Sequence, residues 1–177
     1  MADELIVRRA VLADVAGIAR VHVQSWHATY PGILPAAEIE RHTLAQRAGT
    51  WARLLDGTDA VVFVAARDEA VQGFANTGRF RLGDDKGEGP GEGQGEGELN
   101  VLYVLPTAQR QGIGRSLFNA GANALRESGF SAMRCWVLHG NPAITFYERL
   151  GGERVASKTF SVEGATVAEH CYRFRLG

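Results

Sequence analysis

Cysteine is scarce. Only Cys135 and Cys171 occur, far apart and both inside strand-like runs. That leaves no disulfide framework and no metal-ligand spacing, and it fits buried, reduced thiols. An excess of charge is lacking too. Lys and Arg number 19 against 20 Asp and Glu, a formal net charge of −1, so no overall basic field draws the chain to nucleic acid or to a membrane surface. Long apolar runs are also missing. Acids and arginines interrupt the N-terminal stretch MADELIVRRAVLADVAGIAR, and no later segment is apolar enough to span a bilayer. The expectation is a cytoplasmic protein with neither nucleic acid nor membrane as a partner. His22 and His27 stand five apart, which does not set two ligands on one helical face, so no metal is expected. There is no G-x-x-x-x-G-K-[ST], and the G-x-G at Gly112 and Gly114 lacks the third glycine of a dinucleotide fingerprint.

What is present is an ordinary globular composition. The chain has 177 residues, 45% apolar and 22% charged, which suits a single domain over 1–177. LIVRRAV (5–11) reads as a strand. Asp14 can cap a following helix in which Val15, Ile18, Ala19, His22 and Trp26 recur at helical spacing. Residues 36–56 read as further helix, and 60–68 and 70–80 as two strands. GDDKGEGPGEGQGEGE (83–98) holds seven glycines, six acids and one proline. Such a run buries no apolar surface, so 83–97 should be a flexible loop in an overgrown hairpin. ELNVLYVLP (98–106) is a strong strand. Residues 112–128 are helical, 133–139 a strand, and 141–152 a short helix with Asn141 as its cap. ERVASKTFSV and TVAEHCYRFRL read as a final antiparallel pair. The order β-α-α-β-β-β-α-β-α-β-β gives a mixed α/β sheet.

The run QRQGIG lies between a strand and a helix. Its glycines leave room for close approach, and a helix N-terminus presents unpaired N–H groups there. The dipole contributes roughly 0.3–1 kcal/mol for a favourable anion. Arg110 and Arg115 add charge. This suits a pyrophosphate, and on the glycines alone a plain strand–helix turn fits equally well.

ELNVLYVLPTAQRQGIGRSL resembles the signature of the GNAT superfamily of N-acetyltransferases, a strand, then [QR]-x-x-G-x-[GA], then a helix. Gln109, Gly112 and Gly114 match it. WVLHGNPAITFYERLGG is similar to a second family segment through Asn141, Ile144, Phe146, Tyr147 and Gly151, with alanine one place early at Ala143 and Gly152 where an aromatic is usual. W-x-x-x-Y-x-G-x-x-P, Trp26 to Pro35, resembles one branch of the family.

The resemblance implies a GNAT fold, a mixed and mostly antiparallel sheet of about seven strands with about four flanking helices. It implies acetyl-CoA as cosubstrate, bound between two splayed strands, with no metal. The pantetheine arm would pair with Tyr103, Val104 and Leu105. The loop Gln109, Arg110, Gln111, Gly112, Ile113, Gly114, Arg115 and Ser116 would bind the cofactor, with the pyrophosphate on the backbone amides of Gln111 to Ser116, and Asn141 would hydrogen-bond the pantetheine. Tyr147 would be the general acid and Glu98 the base, acting directly or through water. The backbone amide near Val104 would steady the oxyanion. Trp26 and Tyr30 would recognise the acceptor amine, a small molecule or a peptide or protein amine. Many relatives dimerise, so a homodimer is a further expectation. A non-catalytic acyl-CoA-binding module stays open beside the enzyme. The acidic run 83–97 is either solvated filler or a device that draws a cationic amine toward Glu98.

Overall fold

The computed structural model describes residues 4–57, 61–79 and 95–177. Its elements run β1 (Ile6–Arg9), α1 (Val15–Thr29), α2 (Ala36–Glu40), α3 (Leu44–Asp56), β2 (Val61–Arg67), β3 (Ala70–Arg79), β4 (Glu96–Val104), α4 (Ile113–Glu127), β5 (Ala132–Leu138), α5 (Ala143–Arg149), β6 (Glu153–Val162) and β7 (Ala165–Arg175). All seven strands form one sheet in the order β1-β2-β3-β4-β5-β7-β6. Among the described strands, only the pair β4 and β5 is parallel. Helices α1 and α3 cover one face, through Ile18, Val21 and Trp51, and α4 covers the other through Ile113, Leu117 and Leu125. No described helix is long and apolar enough to cross a membrane.

The expected element order is met, with local differences. The helical stretch 36–56 divides in two. Thr43 Oγ accepts the N–H of Gln46 (3.3 Å) and Gln46 Oε1 accepts that of Thr43 (3.4 Å), a reciprocal cap that starts α3 afresh. Asp14 stands at the start of α1 but does not cap it. Its carboxylate turns back to the Val11 N–H (2.8 Å) and to both terminal nitrogens of Arg8 (2.7 and 2.9 Å). The hydrogen bond from Arg8 holds its pKa below the usual value. Of the acidic run, 83–94 lies outside the described residues. Gly95 is a turn, and Glu96 and Gly97 already belong to β4.

Two features of β4 position everything that follows. Opposite it, Asn76 faces Val101 and Thr77 faces Leu99, so Asn100 is one residue too many and forms a bulge. Strict alternation would set Leu99 with Val101 and Tyr103, and Glu98 with Leu102. The bulge reverses this. Leu99 and Leu102 both lie toward α4, against Gly121 and Gly114, while the Tyr103 ring sits 5.2 Å from His22 of α1. Glu98 then shares the face of Val101 and Tyr103. The second feature is the brevity of the β4–β5 ladder. It holds Glu96, Gly97 and Glu98 against Ala132, Met133 and Arg134 and then stops, although both strands continue. Beyond that point β4 stays on β3 and β5 stays on β7, leaving a wedge between them.

Candidate active site

The wedge opens along an unpaired edge of β4. The Leu105 N–H bonds the Gln72 carbonyl (2.8 Å), so that residue points toward β3. In an antiparallel ladder the neighbouring residue points the other way, which turns the Val104 N–H and carbonyl toward the gap. Ser25 Oγ (3.2 Å) and Gln109 Nε2 (3.3 Å) donate to that carbonyl. Gln109 thus ties the glycine loop to the end of β4.

After Gln109 the chain reverses through two left-handed residues, Arg110 (φ 62°) and Gly112 (φ 82°). The second suits glycine, since a side chain at such a φ is strained. The Ser116 N–H is the first in α4 to reach an intrahelical carbonyl, that of Gly112 (3.0 Å). The N–H groups of Ile113, Gly114 and Arg115 precede it and emerge at the helix start. Arg110, Gln111, Arg115 and Ser116 are exposed around them, while the Ile113 side chain is buried in the core. The two glycines differ in role. Gly112 turns the chain, whereas a side chain on Gly114 would point at the Phe146 ring, so Gly114 seats α4 against α5. Arg67 brings a further cation, donating from both terminal nitrogens to Gln111 Oε1 (3.3 Å each). It lies far away in sequence, and nothing local flags it.

Three tyrosines interact here, Tyr147 from α5, Tyr103 from β4 and Tyr30 just after α1. Tyr147, on α5, is buried, and burial pushes its phenol well above the usual range, with Cys135 and Tyr30 adding to the effect. Among the described residues nothing hydrogen-bonds its hydroxyl. The Tyr30 and Tyr103 hydroxyls meet at 3.1 Å, and burial raises both phenols. Asn141 Oδ1 accepts the Ala143 N–H (2.9 Å) at the start of α5, and its side chain lies at the Tyr30 hydroxyl. Cys135 stands where β5 leaves β4. Burial raises its thiol far above the ordinary value, with Cys171 and Glu98 contributing. Cys135 therefore interacts with both Glu98 and Tyr147. Glu98 is half-buried.

Trp26 stacks on His42, with centroids 3.8 Å apart and planes within 10°, and lies 4.3 Å from the Tyr30 ring. His22 accepts a bond from the Trp51 indole (3.0 Å), and burial lowers its pKa to about 3, so it is neutral. His139 and His170 satisfy one another (3.2 Å), and His170 also meets Ser157 Oγ (2.8 Å). His42, which stacks on Trp26, and Arg47, which lies against His42, are residues the sequence did not single out.

Gly152 departs from the aromatic that the motif leads one to expect, and the packing explains why. A Cβ there would meet the Phe174 ring at 2.8 Å and the Tyr147 carbonyl at 2.9 Å. Phe174 fills the space instead. Gly152→Ala is expected to cost about 1–3 kcal/mol, measured by chemical denaturation. An unchanged midpoint would mean that Phe174 yields freely.

Comparison with known proteins agrees with this geometry. The model of the Acetyltransferase (GNAT) family matches residues 21–152. An uncharacterized N-acetyltransferase, YuaI, of Bacillus subtilis is 39% identical over 165 residues, covering 92% of this chain and 88% of that protein. Among solved structures, an N-acetyltransferase from Staphylococcus aureus Mu50 superposes with a TM-score of 0.74 at 18% identity, covering 98% of this chain and 99% of that one. The putative acetyltransferase yncA from Salmonella typhimurium, solved with acetyl-CoA, gives a TM-score of 0.71 at 22% identity, covering 98% and 94%. These two structural likenesses are of fold.

Proposed function

We propose a specific reaction for a chain that belongs to the GNAT family of acetyltransferases: direct transfer of an acetyl group from acetyl-CoA to a primary amine. The observation that carries this reading is the wedge, with an open β4 edge at Val104, a helix start ringed by Arg67, Arg110 and Arg115 on one side, and Tyr147 on the other. That combination fits a long, thiol-bearing ligand with a phosphate-rich end. Of the stretch Tyr103 to Leu105, the Val104 backbone faces the gap and would pair with the pantetheine arm, while the Leu105 N–H is held by Gln72; Asn141 would hold the arm from the β5 side. The N–H groups from Gln111 to Arg115 would take the pyrophosphate; that of Ser116, also expected there, is held by the Gly112 carbonyl.

Acetyl-CoA supplies the acetyl group as a thioester. An alkylammonium has no lone pair at neutral pH, so a base must first take a proton, and Glu98 does this directly or through water. The Val104 N–H steadies the negative charge that develops on the carbonyl oxygen. Tyr147 gives its proton to the departing sulfur. Trp26 and Tyr30 shape the acceptor side. Two buried free thiols, Cys135 and Cys171, suit the cytoplasm as the working compartment.

A thiol-release assay with acetyl-CoA and a panel of amines tests the reading, with direct CoA-binding measurements beside it. Release with at least one amine is expected. CoA binding without release for every amine would instead support a regulatory module, and absence of CoA binding would remove the proposed ligand.

A further inference from the structure

Among the described residues, three buried side-chain polar atoms have no hydrogen-bond partner: Trp26 Nε1, Arg47 Nε and Asn76 Nδ2. All three are donors. All three lie on the side of the sheet covered by α1 and α3, the side that Tyr103 faces. Burying donors without acceptors is costly, and a fold keeps such a set when something else supplies the acceptor.

Arg47 is the charged member of this set. It is half-buried on α3, one turn before Trp51. One terminal nitrogen lies against the His42 ring (2.8 Å to Nε2), and the guanidinium is near enough to Tyr103 for the two to interact. Burial lowers its pKa, and the attraction of Tyr103 and Glu38 offsets this only in part. The nearest carboxylate does not pair with it. Glu38 reaches His42 and Arg41 instead, at 3.5 Å each. No described Asp or Glu lies within ion-pair distance of Arg47. His42 offers it no charge, because burial and Arg47 itself lower that imidazole's pKa. Trp26 stacks on the same His42 ring and touches Tyr30, whose hydroxyl meets Tyr103. The guanidinium, the indole N–H and the tyrosine pair therefore form one corner, adjoining the wedge on its acceptor side.

We propose that Arg47, assisted by the Trp26 indole N–H, binds a carboxylate on the acceptor, so that the amine acetylated belongs to an amino acid rather than to a polyamine or a simple alkylamine. A guanidinium presents a planar fork that matches a carboxylate, and an acceptor amine carrying that group would be held by it while Glu98 takes the ammonium proton. The inference rests on the acetyl-transfer reading and narrows its substrate.

The test compares matched acceptors: leucine, methionine, phenylalanine and glutamate, each against its α-carboxamide, with spermidine alongside. kcat/KM is taken for the wild type, Arg47→Gln and Arg47→Lys, and CoA affinity reports that each variant is folded. The wild type is expected to prefer at least one acid over its amide by about 100-fold. Arg47→Gln should bring that ratio near one, and Arg47→Lys should leave part of it. Amides accepted as well as acids, a ratio that survives Arg47→Gln, or turnover of spermidine without turnover of any amino acid would each overturn the proposal. Should CoA bind and no amine be acetylated, the catalytic reading fails separately. The anion corner is then decided by titrating 3-phenylpropionate into CoA-loaded protein. Saturable binding that Arg47→Gln abolishes supports it, and no saturable binding refutes it.

Discussion

Tyr147→Phe is expected to lower kcat by about 10²–10⁴-fold while leaving the affinity for CoA nearly unchanged. The substitution removes one oxygen from a buried ring that packs against Phe146 and Phe174, so the fold loses little. What it removes is the proposed proton donor. Burial holds that phenol well above its usual pKa, so it stays protonated at neutral pH. A thiolate with a normal pKa near ~8.5 would be a poor match for such a reluctant acid. The site itself answers this objection. Cys135 lies in the same surroundings, and burial raises its thiol far above the ordinary value too. A CoA sulfur expelled into similar surroundings would also gain proton affinity, which narrows the gap between donor and acceptor. Steady-state kinetics with saturating acetyl-CoA, together with a CoA titration, check this. An undiminished kcat would clear Tyr147 and move attention to the hydroxyl pair of Tyr30 and Tyr103.

The parts of this site that could be read from the sequence are those whose meaning is local. Gln109, Gly112 and Gly114 mark a strand–helix turn within six residues, and Tyr147 lies on the short helix α5 whose first N–H bonds Asn141. The parts that could not be read depend on distant partners or on a single inserted residue. Nothing in ELNVLYV announces that Asn100 is the extra residue, yet the bulge moves Glu98 onto the face of Tyr103. Gly152 is intelligible only once Phe174 is seen filling its space. Arg47 and Arg67 carry no local signal in the sequence, and only the packing brings one near Tyr103 and the other onto Gln111. The break between α2 and α3 was there to be read, because Thr43 and Gln46 have the spacing of a capping box.

Glu96 makes the same point and carries the largest expected loss of stability. In the sequence it is one acid of a repetitive Gly-Glu run. In the fold it opens β4, buried to 8% exposure, and its carboxylate takes Arg134 Nε of β5 on one oxygen and Arg173 Nε of β7 (2.7 Å) on the other. One side chain thus clamps three strands where the wedge is closed. Glu96→Ala removes the carboxylate those two arginines share, and breaking a buried pair in this way is expected to cost about 3–5 kcal/mol. Chemical denaturation at neutral pH measures it. The pH dependence supplies an independent check. Burial pushes the Glu96 pKa up, but the hydrogen bonds from Arg173 and Arg134 outweigh it and hold the folded value below the usual one. A carboxylate depressed by folding contributes its full stability above its ordinary pKa and loses it as pH falls through the folded value. The wild type should therefore melt at progressively lower temperature below about pH 4.5, and Glu96→Ala should show a shallower decline. A variant as stable as the wild type, or one with the same acid slope, would mean that the backbone rungs from Glu96 to Glu98 hold β5 unaided. If the clamp does hold them, it also fixes where β4 and β5 part, and CoA should then raise the melting temperature of Glu96→Ala by less than it raises that of the wild type.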